Sequence, residues 1–150
     1  MMKKYIIFLL IFAISGCGTK IYNENLPQQN QKYLGVTAKC DDNKLNKKLE
    51  TKINELLKKE KIPATNDLSI NCNLLKFDEG NRAVRYLISF GAGAATSSTN
   101  IKLYNKNQNI VGEFDINATM GMGGFGGDAE EVLDFTAQEV INRLKAKNFI

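Results

Sequence analysis

From residue 33 onward the apolar positions of the chain keep two distinct periods. Leu34, Val36, Ala38 and Cys40 alternate with polar residues, the period of a half-buried strand over 33–40. Leu45, Leu49, Ile53, Leu56 and Leu57 then fall on one stripe, which predicts an amphipathic helix running to about Lys59. Asp41, Asp42 or Asn43 can cap its start, lysines crowd its last turn, and Pro63 follows it. A strand over 67–77 alternates through Leu68, Ile70, Cys72 and Leu74. Its phase then switches to Leu75 and Phe77, which predicts a bulge or an end buried on both faces. Residues 82–90 alternate at Val84, Tyr86, Ile88 and Phe90, although Arg82, Arg85 and Leu87 leave room for a helical turn; we read a strand. After the small-residue loop Gly91–Ser98, a hairpin runs through Ile101 and Leu103 and turns at Asn105–Asn109. It returns with Gly112, Phe114, Ile116, Ala118 and Met120 on one face and Glu113, Asp115, Asn117 and Thr119 on the other. A helix over about 129–147 carries Ala129, Val132, Leu133, Ala137, Val140, Ile141 and Leu144 as its stripe, with Asp128 and Glu131 placed as a capping box. The order β-α-β-β-β-β-α predicts an α+β fold: an antiparallel sheet of four to five strands with two helices packed on one face.

Residues 1–32 follow different rules. Met1-Met2-Lys3-Lys4 is a short positive segment, and Tyr5–Ile14 is an apolar run of signal-peptide length, too short to span a bilayer. Ile14-Ser15-Gly16-Cys17 resembles a lipobox. The aliphatic residue suits a peptidase pocket, the small residues allow close approach at the cut between Gly16 and Cys17, and the Cys17 thiol is the nucleophile for diacylglyceryl transfer. An ordinary cleaved signal or an uncleaved anchor is the plainer alternative. The predicted organisation is a lipoprotein signal peptide over 1–16, an acylated flexible tether over 17–32, polar and rich in Gln and Asn, and one α+β domain over 33–150. Acyl chains on Cys17 would hold the protein on a membrane of the cell envelope. Where the host has an outer membrane, Gly18 in place of Asp directs the expectation to its periplasmic face.

Charge changes this picture little. Lys3 and Lys4 leave with the signal, so the balance falls from +4 to about +2. Lys44, Lys47, Lys48 and Lys52 are interleaved with Glu50 and Glu55, which reads as a solvated helix face and gives no ground for a nucleic-acid partner. With Cys17 acylated, Cys40 and Cys72 make an even pair, in phase with the apolar faces of their strands. A disulfide suits an oxidising envelope, and two buried free thiols would fit the same faces.

Candidate chemistry is sparse. The chain has no histidine, which removes Ser-His and Cys-His nucleophile systems and most transition-metal sites. No catalytic residue, metal ligand or cofactor is assigned. Gly121-Met-Gly-Gly-Phe-Gly126 matches G-x-G-x-x-G between a strand and a helix. Asp128, Glu130 and Glu131 would repel a pyrophosphate there, and the preceding strand belongs to a hairpin, so the stretch reads as a glycine loop presenting Met122 and Phe125 to a partner.

From Gly80 onward the pattern resembles the bacterial family known as domain of unknown function 4410. The residues that carry the likeness are Gly80-Asn-Arg82-Ala-Val-Arg85-Tyr86, Phe90-Gly91-Ala-Gly93-Ala-Ala, Ile101-Lys-Leu103-Tyr, Gly112-Glu-Phe114, the glycine loop and the final helix. Asn105-Lys-Asn107 departs from the Asp-rich turn expected there. The resemblance implies an envelope lipoprotein or secreted protein and supplies no catalytic residues. The functional expectation is a non-catalytic accessory or assembly module that binds an envelope protein. The alternative is a small-ligand or glycan-binding domain using the 91–98 and 121–127 loops.

Overall fold

The computed structural model of the chain describes residues 17–88, 92–121 and 128–150. Its elements are β1 (Cys17–Asn25), β2 (Val36–Cys40), α1 (Lys44–Lys59), β3 (Leu68–Asp78), α2 (Arg82–Ile88), β4 (Ala95–Asn105), β5 (Ile110–Met120), a 3-10 turn (Ala129–Glu131) and α3 (Val132–Ala146). The five strands form one sheet in the order β1-β5-β4-β3-β2. The α+β class, the sheet and the two helices on one face agree with the sequence reading.

The periodic elements lie where their side chains require. In α1, Leu49, Ile53 and Leu57 are buried, while Asn43 caps the helix by accepting from the Asn46 amide at 2.9 Å. In α3, Val132, Leu133, Ala137, Val140, Ile141 and Leu144 are buried. Its entry carries the predicted capping box: Asp128 accepts from the Glu130 amide, and Glu131 accepts from the Asp128 amide at 3.1 Å. Lys48 pairs with Glu130 of the 3-10 turn, Lys52 with Asp134, and Glu60, at the end of α1, with Lys145, partners that advance together from the start of both helices to their ends. The two helices therefore run parallel. Part of the lysine face expected to be merely solvated instead links the helix layer.

Three expectations about the regular elements are corrected, and one, the bulge, is met. The sheet is mixed, because α1 carries the chain from β2 to β3 as a crossover and leaves these two strands parallel, while the other pairs are antiparallel. The segment over 82–90 yields a helix, α2, not a strand. Gly80 reverses the chain at φ +63°, and the Asn81 side chain accepts from the Val84 amide at 3.0 Å, which starts a helical turn. Leu34 is 81% exposed and lies outside β2; Gly35, where an added Cβ would collide with Thr65, separates it from the strand. The bulge at Leu75 is present, with the register shifting between Leu74 and Lys76.

The largest correction concerns 17–32, which forms no flexible tether. Residues 17–25 pair along β5 as an edge strand, from Cys17 opposite Met120 to Asn25 opposite Glu113. Ile21 packs against the core and Leu26 is buried within it. Glu24 forms ion pairs with Arg143 and Lys147. The backbone then follows the chain's other end: the Gln29 amide donates to the Lys147 carbonyl at 2.9 Å, and the Tyr33 amide to Phe149 at 2.8 Å. The Tyr33 ring stacks on Phe149 with centroids 5.7 Å apart. An edge strand needs only one apolar face, so its polar composition concealed it.

At the opposite edge, β2 has its outward amides satisfied by groups outside the sheet. Val36 donates to the Pro63 carbonyl, Ala38 to the Asn54 side chain at 2.9 Å and Cys40 to Glu50 at 2.8 Å. Asn54 also donates to the Ala38 carbonyl at 3.0 Å. A side-chain amide thus occupies the place of a sixth strand.

One buried hydroxyl sits at odds with its surroundings. Thr99 is fully buried in β4, and its Oγ1 has no hydrogen-bond partner among the described residues. Thr99→Val keeps the shape and removes the desolvated group. It is expected to raise stability by ~1 kcal/mol, read as a higher Tm; a lower Tm would show that the hydroxyl is satisfied in solution.

Candidate functional site

Sheet alternation and helix placement together create a surface that the sequence did not advertise as a site. Ala95, Ser97, Thr99, Ile101 and Leu103 of β4 turn toward the helices and are buried. Thr96, Ser98, Asn100, Lys102 and Tyr104 turn the other way and are half-buried. The register sets neighbours beside them: Asn73, Asn100, Asp115 and Tyr22 form one row across β3, β4, β5 and β1, and Lys76, Ser98, Asn117 and Lys20 form another. No described element covers this face. Asn100 donates to Glu113 at 3.1 Å and to Asp115 at 2.8 Å, and Asn23 donates to the other Asp115 oxygen at 2.7 Å. Lys102 lies 3.6 Å from Glu113. The result is a broad, hydrogen-bonding face of amides, hydroxyls and mixed charge, open to solvent.

At one end of the sheet, Gly80 and Gly93 (φ +69°) bring two chain segments into close contact. A Cβ on Gly93 would meet the Asn81 carbonyl and the Val84 side chain. The Asn81 amide donates to the Gly93 carbonyl at 2.9 Å. Arg85, buried to 3% exposure, donates through Nη1 to both the Glu79 and Gly93 carbonyls at 2.7 Å. The Gly80, Arg85 and Gly93 positions of the sequence motif therefore build a clasp that holds α2 to the start of β4. Beside it lies a cleft of about 270 Å³ that includes Glu79, Arg82, Asp128 and Glu130. A larger open cleft of about 780 Å³, at the other end of the sheet, is lined by the 28–34 segment, Asp67 and Asn105–Asn107. Among the described residues no three Cys, Asp or Glu side chains gather as a metal site, and no helix is long and apolar enough to cross a membrane.

The predicted site residues fall in separate places. Cys17 heads β1 at the α2 end of the sheet. Cys40 and Cys72 are register partners in β2 and β3, both buried, with Cα atoms 4.4 Å apart and sulfurs in bonding contact. Met122 and Phe125, like Gly16 and the 1–16 segment, lie outside the described residues. The 91–98 loop is shorter than expected, because β4 begins at Ala95 and buries Ala95 and Ser97. The G-x-G-x-x-G stretch follows a strand with antiparallel neighbours on both sides, so no βαβ unit stands behind it. Sequence reasoning missed the open face; its signal was the polar half of each alternating strand, read only as the outside.

Two structures of the PelC dodecamer from Paraburkholderia phytofirmans are similar to this chain. One, a point variant, has 11% identity over 85% of this chain and 97% of that chain, with a TM-score of 0.49. The other has 9% identity over 84% and 97%, with a TM-score of 0.45. No curated protein matches the sequence. The family model described as Domain of unknown function (DUF4410) matches residues 8–124, which takes in the first half, where the motifs were indistinct, and stops short of α3. The chain belongs to that family, DUF4410, whose defining stretch spans the sheet from β1 to β5.

Proposed function

We propose that this protein is a lipid-anchored module of the cell envelope that works by binding a partner protein, and that the open face of the sheet is its binding surface. The observation that carries this reading is the one-sided packing: α1 and α3 cover one face, while polar side chains from all five strands stand on the other. Several acids near these surfaces already serve the fold. Asp128 and Glu131 cap a helix, Glu130 pairs with Lys48, and Glu113 and Asp115 hold Asn100. The lipobox and the apolar run before it support the anchor at Cys17. A glycan is the second reading, favoured by the density of Asn, Ser and Thr on the face and by the Tyr22 and Tyr104 rings beside them.

A photo-crosslinking residue at Ser98, compared with one at the exposed Gln138 of α3, tests the surface in intact envelopes. Ser98 is expected to give one discrete adduct and Gln138 none. A protease-sensitive addition supports the protein partner, one removed by glycan hydrolysis replaces it with the second reading, and no adduct from Ser98 overturns both. The anchor is checked in the same cells with a clickable fatty acid: label retained after Cys17→Ser would refute lipidation at that residue.

A further inference from the structure

We infer that the α2 end of the domain rests against the lipid bilayer, with Leu87 entering the interface. This rests on the proposed acylation of Cys17 and adds an orientation to it. Cys17 is itself the first residue of β1, and its backbone is paired with Met120 of β5, which is paired in turn with Ala95 of β4. The next row runs Gly18, Thr119, Thr96, Asp78 across β1, β5, β4 and β3. Three strand spacings, about 14 Å, therefore separate the anchor from the point where β3 leads into α2. No linker lies between acyl chains and sheet, so the bilayer must meet this end.

The surface there suits an interface. Ala83 and Leu87 lie four residues apart on one side of α2, and both are exposed, Leu87 by 76%. A leucine so exposed on a helix held by the Arg85 clasp packs little against the described residues, and at a membrane surface it gains apolar surroundings. The charges nearby are mixed, with Lys20, Lys76 and Arg82 among Asp78, Glu79 and Asp128. The contact is therefore made by the anchor and Leu87, not by adsorption of a polybasic patch onto anionic lipid. Leu34, 81% exposed, sits at the far end of the sheet, about 33 Å away along the strands.

The sequence has no tryptophan, so single reporters are clean. Leu87→Trp and Leu34→Trp versions of the processed, acylated protein are placed in phosphatidylethanolamine and phosphatidylglycerol vesicles whose acyl chains carry bromine. The Leu87→Trp emission is expected to shift to the blue and to be quenched several-fold, while the Leu34→Trp emission stays unchanged. Vesicle flotation separates the two levels of the claim. Protein that floats with no quenching of Leu87→Trp, or with equal quenching of both reporters, keeps its anchor and overturns the orientation. Protein that does not float overturns the anchor, and the orientation with it.

Discussion

Phe149→Ala is expected to lower the stability of the domain by ~3–5 kcal/mol, enough to remove a large part of the stability of a domain this size. The ring is fully buried within the main core, among side chains from the sheet and both long helices. Its backbone is held from two sides: the Phe149 amide donates to the Leu144 carbonyl at 2.8 Å, and its carbonyl accepts from Tyr33. Truncation leaves a cavity and removes the stacked Tyr33 ring from its partner, an aromatic contact that adds ~0.5–1.5 kcal/mol to simple burial. The loss should spread to the 26–33 segment, which depends on this corner. Urea denaturation gives the magnitude, and hydrogen exchange at the Tyr33 amide shows the local release. A change below ~1 kcal/mol, or an unchanged Tyr33 amide, would show that the segment is held elsewhere.

Replacing Cys40 and Cys72 together by alanine is expected to cost ~3–4 kcal/mol through the unfolded chain, plus a smaller packing loss. The two residues are directly opposed in the parallel pair β2–β3 and 32 positions apart in sequence, so a bridge closes a loop that contains α1. That loop is formed anyway in the folded domain, and the constraint acts by narrowing the unfolded ensemble. Non-reducing mass spectrometry of the mature protein should find no free thiol, and reduction alone should lower the Tm by most of the effect of the double variant. Two alkylatable thiols and a Tm insensitive to reductant would instead establish the pair as reduced core residues.

What the sequence revealed and concealed follows from how much of each element touches the core. α3 was legible almost residue by residue because six buried apolar residues repeat at helical spacing behind an Asp128–Glu131 cap. β5 and the second half of β4 were legible because apolar residues alternate there, whereas Ala95–Ser98, whose inward positions are Ala95 and Ser97, read as loop. β1 was not: among its described side chains only Ile21 is a large apolar residue facing the helices, so composition said tether while pairing with β5 said strand. In α2 the alternation of Val84, Tyr86 and Ile88 gave the wrong period, because Gly80 and the Asn81 cap decide the backbone before side-chain burial does. The parallel pairing of β2 and β3 was implicit in a single long helix between two strands, a connection that antiparallel neighbours seldom need. The open face was visible only as the polar half of a pattern. Nothing in one strand reveals that the polar halves of five strands will be set side by side and left uncovered by any described element.

The amide that Asn54 lends to β2 has a consequence for the protein at high local concentration. Growth of a fibre by sheet extension requires each copy to accept a neighbour on both flanks. Here one flank is already occupied by the chain's own Asn54 and Glu50, which hold the Ala38 and Cys40 backbone that an incoming strand would need. Whatever pairs along β1, the chain of additions ends at the second molecule. Were the proposed anchor at Cys17 to confine the molecules to two dimensions, they would meet far more often than in solution, and this arrangement would make those encounters self-terminating.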